Sequence, residues 1–479
     1  MIDLQPLVNK TVEFAYRGAR LNFDLSHALF SSFAIDTGTR FLLKEIAHDE
    51  ALARAGSILD SGCGTGIIGI SLAASCPSAK VVLRDRDLMA CAFSERNCWR
   101  NGIAARRFGI DGVEAEPIAK RAPKHKNNEP RTADVLIAPG LLGEADGFGP
   151  YGFIASNVPA KAGPAVLERF VRACAESLLA PGGRLAFVIV NTLAPLADAW
   201  CAASGLAPIK RVAGKGHTVF VLEKAALPSD TASAGAAMSA APDGAATPSA
   251  ATPSAAAPSA AAPSSAAPSA AAPAAAAPAA ARLVPYRRSG GERQLGRYKA
   301  KVSGYQGLPE FDTASFATGL AIEALERACA GCLVRDFLVA EPGIGLPVLW
   351  ARAALGPARI HALSRDFLAL LATEANLEAQ GAPVPEYLPL AAVDIPAEPA
   401  ASYDAILWNP DEIPEYDEVS PAWRFMLKSA KTGAAVVIVG TGTTIARFDK
   451  VKPSGMQRLG EKKRKGFAAA MYRRVEKAG

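Results

Sequence analysis

The two halves of this 479-residue chain repeat each other, and the repeat limits its fold more than any other feature. "IDTGTRFLLKEI" (35–46) is answered by "FATGLAIEAL" (316–325), and "ILDSGCGTGIIGISLAA" (58–74) by "FLVAEPGIGLPVLWARAA" (337–354). "VVLRDRDLMACAFSERN" (81–97) pairs with "IHALSRDFLALLATEAN" (360–376), and "YGFIASNVP" (151–159) with "YDAILWNPD" (403–411). Both halves close on a glycine and a short strand pattern, "GKGHTVFVLEK" (214–224) and "RKGFAAAMYRR" (464–474). Short apolar runs alternate with longer helical patterns, which predicts parallel sheets with crossover helices. The expectation is two tandem α/β domains of one fold.

The segment between them cannot join either core. Prolines recur at every fifth position from Pro248 to Pro278 in an A-A-P-S-A pattern. Alanine buries too little surface to offset ordering entropy, and proline interrupts helices. Residues 226–281 are therefore expected to be a disordered Ala/Pro-rich linker, semi-extended, between domains at 1–225 and 282–479. No charged-then-apolar leader opens the chain and no apolar run approaches the roughly 20 residues of a membrane span, so a cytoplasmic location without membrane contact is expected. The eight cysteines show no regular framework. Cys329 and Cys332 form a lone C-x-x-C without a second pair or nearby histidines, so no metal is expected.

The first repeat carries a glycine loop. Ser57 to Asp60 read as a strand, and Gly62, Gly64 and Gly66 lead into an apolar helix. Glycine serves where backbone must take positive φ and approach a ligand closely. Gly64, Gly66 and Gly69 also satisfy the dinucleotide pattern G-x-G-x-x-G, so the loop by itself is ambiguous. Asp60 tips the balance. A pyrophosphate gains nothing from a carboxylate there, whereas the cationic amino group of S-adenosylmethionine (SAM) does. Asp85, at the end of the next strand, suits ribose hydroxyls in either case.

With D-x-G-x-G-x-G, Asp85 and "FDLSHALFSSFAIDTGTRFLL" (23–43) in place, the first half resembles a class I SAM-dependent methyltransferase. The paired Rossmann-like arrangement is similar to the tandem-domain ribosomal RNA guanine-N2 methyltransferases, with a resemblance over roughly 20–224 and 295–475. The resemblance implies SAM as cofactor, with Asp60, Gly62, Gly64, Gly66 and Asp85 at cofactor positions. It also makes Asp111, after "RRFGID", a candidate near the adenine. In that family the second copy is the active one, whereas here the intact loop stands in the first. Glu341 and Pro342 replace Gly62 and Cys63 in the second copy, and Ser364 replaces Asp85. Its cofactor site is expected to be degenerate.

Enzymes that methylate amino groups carry Asn-Pro-Pro-aromatic where this chain has Asn157, Val158, Pro159 and Ala160. In-line methyl transfer to an exocyclic amine needs positioning more than acid–base catalysis. The Asn157 oxygen can accept a hydrogen bond from the target NH₂, and Pro159 keeps the turn rigid. Asn157 and Pro159 are the candidate catalytic residues. A strand-end cap is the plainer role for Asn157.

Basic residues cluster at Lys120 to Arg131, at Arg282 to Lys301 and at Lys450 to Lys477. Clusters of this kind suit phosphates, and RNA is the expected partner. The expected activity is methyl transfer to an exocyclic amine, guanine N2, in ribosomal RNA. Two alternatives stay open: a non-catalytic RNA-binding or assembly protein made of two decayed copies, or a methyltransferase of a protein glutamine or small amine.

Overall fold

The computed structural model describes residues 4–30, 32–117, 131–145, 147–226, 277–391 and 402–476. Most of the Ala/Pro-rich linker, 227–276, and the basic loop 118–130 lie outside these residues.

The first half opens with a hairpin, β1 (Val8–Tyr16) and β2 (Ala19–Ser26), followed by α1 (Thr37–Ile46) and α2 (Glu50–Arg54). Alternating strands and helices come next: β3 (Ser57–Ser61), α3 (Ile67–Ser75), β4 (Lys80–Asp85), α4 (Leu88–Arg100), β5 (Ile103–Arg107), β6 (Arg131–Pro139) and β7 (Tyr151–Asn157). α5 (Pro164–Ala173), β8 (Leu179–Val190), α6 (Ala194–Ala203), β9 (Ala207–Ala213) and β10 (His217–Glu223) complete it. The strands form one sheet ordered β5-β6-β4-β3-β7-β8-β10-β9. It is parallel from β5 to β8, and β10 and β9 turn back antiparallel. The chain leaves β3 toward β4 and later returns on its other side as β7, so the switch point of the sheet falls between β3 and β7. Open parallel sheets bind ligands beyond the strand ends at such a point.

The second half starts with a short helix, α7 (Ala279–Arg282), whose Ala279 is buried. A hairpin, β11 (Arg287–Leu295) and β12 (Tyr298–Tyr305), precedes α8 (Phe316–Ala328), β13 (Asp336–Ala340), α9 (Leu346–Ala354), β14 (Arg359–Ser364), α10 (Phe367–Glu378), β15 (Glu386–Ala391) and β16 (Tyr403–Trp408). α11 (Val419–Ser429), β17 (Ala430–Thr441), α12 (Gly442–Lys450), β18 (Met456–Arg464) and β19 (Phe467–Arg474) follow. The sheet order β15-β14-β13-β16-β17-β19-β18 is that of the first half without β6. The repeat extends to single hydrogen bonds. Asn97 holds the hairpin at Asp24 N at 2.8 Å, and Asn376 holds Ser303 N at 2.8 Å.

The two halves pack on each other about a local two-fold axis. Leu88 N donates to Arg365 O and Phe367 N to Arg86 O, both at 2.9 Å, around an antiparallel bridge between Asp87 and Asp366. Arg86 pairs with Asp366 at 3.3 Å and Arg365 with Asp87 at 3.6 Å. Arg86 also reaches Gly307 O, and Arg365 reaches Ala28 O, each at 2.9 Å. Apolar burial supports the contact: Leu29, Leu88 and Met89 meet Ile413 and Tyr416, while Leu141 and Val166 join the cluster of Tyr286 and Leu308. Among the described residues no helix is long and apolar enough to cross a membrane.

Candidate active site

Asp60, the last residue but one of β3, is fully buried. Its Oδ2 accepts the N–H of Gly69 in the first turn of α3 at 2.7 Å, while Oδ1 is buried without a hydrogen-bond partner. Burial pushes this carboxyl up to about 7, against the pull of the Gly69 N–H. A buried acceptor left unsatisfied beside a glycine loop is costly unless a donor arrives. Gly62 (φ +77°) and Gly64 (φ +55°) hold the loop in the left-handed region, and a Cβ on either would point into open space. That space is a cradle open to a ligand. Gly66 (φ +81°) is different: a Cβ there would meet Ile70 and Ser94 inside 3 Å, so its role is to let α3 start against α4.

Asp85 closes β4. Its Oδ2 accepts Gly64 N and its Oδ1 accepts Asp87 N, each at 2.9 Å. Burial raises its carboxyl above the ordinary range, opposed by these two N–H groups. The residues fit SAM: an orphan carboxylate oxygen for its ammonium, open glycine backbone beside it, and a fixed second carboxylate one strand over.

Across the switch point, β7 ends on Asn157. Its Nδ2 donates to Asp36 Oδ2 at 2.9 Å and to Thr39 Oγ1 at 3.0 Å. A carboxylate oxygen accepts, so the amide nitrogen must face Asp36 and the carbonyl Oδ1 is left as the free acceptor. Asp36 also caps α1 by accepting Gly38 N at 2.8 Å and Thr39 N at 3.2 Å. A Cβ at Gly38 would lie 2.8 Å from that carboxylate and 3.1 Å from His217, so the "DTG" of the segment keeps the clasp open. The Asn157 amide nitrogen thus bonds to the side chains of Asp36 and Thr39 at the start of α1. Val158, in place of a proline, donates its N–H to Val188 O at 3.2 Å and buries its side chain, so β8 supplies the rigidity a proline ring would. Pro159 caps the short 3₁₀ turn Ala160–Ala162. Ala160 offers no aromatic face, but Phe30 and Phe33 are 77% and 67% exposed on the loop leading to Asp36.

Asp111 is not brought to the glycine loop. β6, which the sequence patterns did not disclose, stands between β5 and β4 and shifts the end of β5 one strand outward. Beside Asp85 stands Gly140, whose N–H donates to Asp85 O at 3.0 Å. Asp111 is exposed, with its Oδ1 on Val113 N at 3.0 Å. It lines a cavity of about 1130 Å³ between the halves, with Arg84, Glu144, Arg282 and Tyr286, whose walls include none of Asp60, Gly62, Gly64 and Asp85. Asp36 and Thr39 are candidate site residues that motif reading missed; "IDTG" at the start of α1 was the available signal.

The matching place in the second half is closed by its own side chains. Val339 pairs in register with Ala362 as Asp60 does with Leu83, so no carboxylate stands there. Glu341 takes the Gly62 position at φ +51°. Its carboxylate accepts Ser364 Oγ at 2.7 Å, across the space that Gly62 leaves open in the first half. Burial pushes the Glu341 carboxyl up to about 7, partly offset by the Ser364 hydroxyl.

Residues 20–121 match the family model for the methyltransferase small domain. A ribosomal RNA small subunit methyltransferase C of Pseudomonas fluorescens is 36% identical over 90 residues, 19% of this chain and 26% of that protein. Its Pseudomonas putida KT2440 counterpart is 37% identical over 89 residues, with the same shares covered. The chain thus matches about a quarter of the length of these curated relatives. A solved T. thermophilus 16S rRNA N2 methyltransferase, bound to AdoMet and guanosine, superposes with a TM-score of 0.58 at 16% identity, over 98% of this chain and 99% of that one. At that identity the likeness establishes the fold. The chain has the tandem class I methyltransferase fold, and its first half carries a methyltransferase small domain resembling the ribosomal RNA guanine-N2 methyltransferases.

Proposed function

We propose that the first half is a SAM-dependent methyltransferase that acts on an exocyclic amine of a base, guanine N2, in ribosomal RNA, and that the second half is a structural copy without cofactor. Acting on such an RNA, the protein would work in the cytoplasm. The observation that carries the proposal is the clasp of Asn157 by Asp36 and Thr39 beside an intact cofactor cradle. When bound, SAM supplies a methyl group activated by its sulfonium. Asp60 Oδ1 and the Gly62–Gly64 backbone would hold its amino-acid end, and Asp85 its ribose. Asn157 Oδ1 accepts one hydrogen of the target NH₂, and the Val158 carbonyl stands next in the chain for the other. With both hydrogens directed away, the nitrogen lone pair faces the methyl carbon. With SAM held there, its methyl would pass from sulfur to this nitrogen, one S–C bond exchanged for one C–N bond, and the extra amine proton would leave to water. No side chain needs to act as a strong base.

Curated relatives named for ribosomal RNA methylation favour this reading over a protein or small-amine acceptor. The non-catalytic alternative leaves the Asp60 orphan oxygen and the oriented Asn157 without a role. Single-turnover transfer of labelled methyl to unmodified ribosomal RNA and small subunits tests the proposal, with nucleoside mass spectrometry expected to find N2-methylguanosine. Transfer to no RNA, with SAM bound, would overturn it.

A further inference from the structure

The two hairpins are equivalent in fold but not in charge. Both pair with the same register and the same irregularity after their first residue. β1–β2, residues 8–26, carries Lys10, Arg17 and Arg20 against Glu13 and Asp24, a net +1. β11–β12, residues 287–305, carries Arg287, Arg288, Arg293, Arg297, Lys299 and Lys301 against Glu292, a net +5.

The root of each hairpin lies at the other half's site. Tyr286, just before β11, accepts Leu142 N on its hydroxyl at 3.0 Å. Gln306, just after β12, packs on Gly163, where a Cβ would be 3.1 Å from its Oε1. Gly163 ends the turn that follows Asn157. Gly307 O accepts Arg86, the neighbour of Asp85. The basic hairpin is thus planted between the Asn157 turn and the Asp85 strand end of the first half. The near-neutral β1–β2 is planted by Ala28 O against Arg365, beside the closed site of Glu341.

Leu295, Ala300 and Val302 hold one face of β11–β12 on the second half's core. Arg287, Arg288, Arg297, Lys299 and Lys301 are exposed. Arg287, Arg297 and Lys301 have no ion-pair partner among the described residues, and Lys299 has only the equally exposed Glu292 at 3.6 Å. At about 3.3 Å per residue, nine residues of β11 reach roughly 30 Å, enough to track several phosphates.

We infer that β11–β12 is a phosphate-binding ribbon, lent by the second half to the active site of the first, which takes the RNA backbone flanking the target base. The degenerate copy keeps its fold because it carries this ribbon. The inference rests on the RNA reading above.

The test compares the full chain with Arg297→Gln/Lys299→Gln/Lys301→Gln, using a ribosomal RNA fragment and fluorescence anisotropy across a salt series. The expected result is at least tenfold weaker binding at low salt and a log–log salt slope smaller by about 2, at ~0.7 per lost contact. SAM stoichiometry stays unchanged, which shows that the variant is folded. Lys10→Gln/Arg20→Gln in β1–β2 changes affinity by less than threefold. Equal affinity and slope for wild type and the triple variant overturn the inference whether or not methyl is transferred, as does a wild type that binds no RNA. A wild type that binds RNA but transfers no methyl removes the proposed activity and leaves the ribbon to be judged by its slope.

Discussion

Asn157 Nδ2 sits 2.9 Å from Asp36 Oδ2, a contact across 121 residues that decides which way the amide faces. Reversing the amide would set two acceptors against each other, so Oδ1 is the amide atom left to accept a hydrogen bond. Asn157→Ala is expected to slow methyl transfer by ~10², the scale for a lost positioned hydrogen-bonding group at a reacting centre, with SAM affinity nearly intact. Asp36→Ala should slow transfer roughly tenfold or more and also destabilise the fold by about 1 kcal/mol, because the α1 cap goes with it. Thermal melts separate the two effects. Wild-type transfer by a folded Asp36→Ala variant would remove Asp36 as a positioning residue.

The buried Asp60 makes cofactor binding depend on pH. Its carboxyl titrates near 7 when folded, against an ordinary value of 3.8. Between these values the folded state binds the extra proton, so this residue's contribution to stability falls as pH rises through the window. An ammonium ligand needs the ionised form, so SAM affinity should strengthen from pH 6 to pH 8, with proton release on binding. Calorimetry in buffers of different ionisation enthalpy measures both. Asp60→Asn should bind weakly with a flat profile.

One SAM should bind per chain. Val339, Glu341 and Ser364 each remove a feature that the first half has, and Glu341 fills the space itself. Glu341→Gly alone is expected to leave the stoichiometry at one, because no carboxylate replaces Val339. A second equivalent of SAM bound by the wild type would show the second loop to be open.

Cutting within 227–276 should leave the halves together. Leu29, Leu88 and Met89 are buried against Ile413 and Tyr416, and paired backbone hydrogen bonds cross the two-fold. Size-exclusion chromatography of the nicked chain should show a single peak containing both pieces. Separate monomeric peaks would mean that the linker, and not the interface, holds the assembly.

Much of this protein is written in short-range pattern. Glycine spacing, Asp60 and the apolar alternation determine two α/β units with one open cofactor loop, because positive φ and buried strands constrain residue type locally. Asn157 could be put forward as a candidate from its box for the same reason. The strand β6 could not, since "ADVLIAP" is a short apolar run whose place in the sheet depends on its neighbours, and with it went the placement of Asp111. Which way Asn157 faces, and which hairpin reaches which site, only the tertiary structure decided. Asp36 meets Asn157, and Gln306 meets Gly163, through packing between segments far apart in the chain, and sequence periodicity carries no information about such contacts.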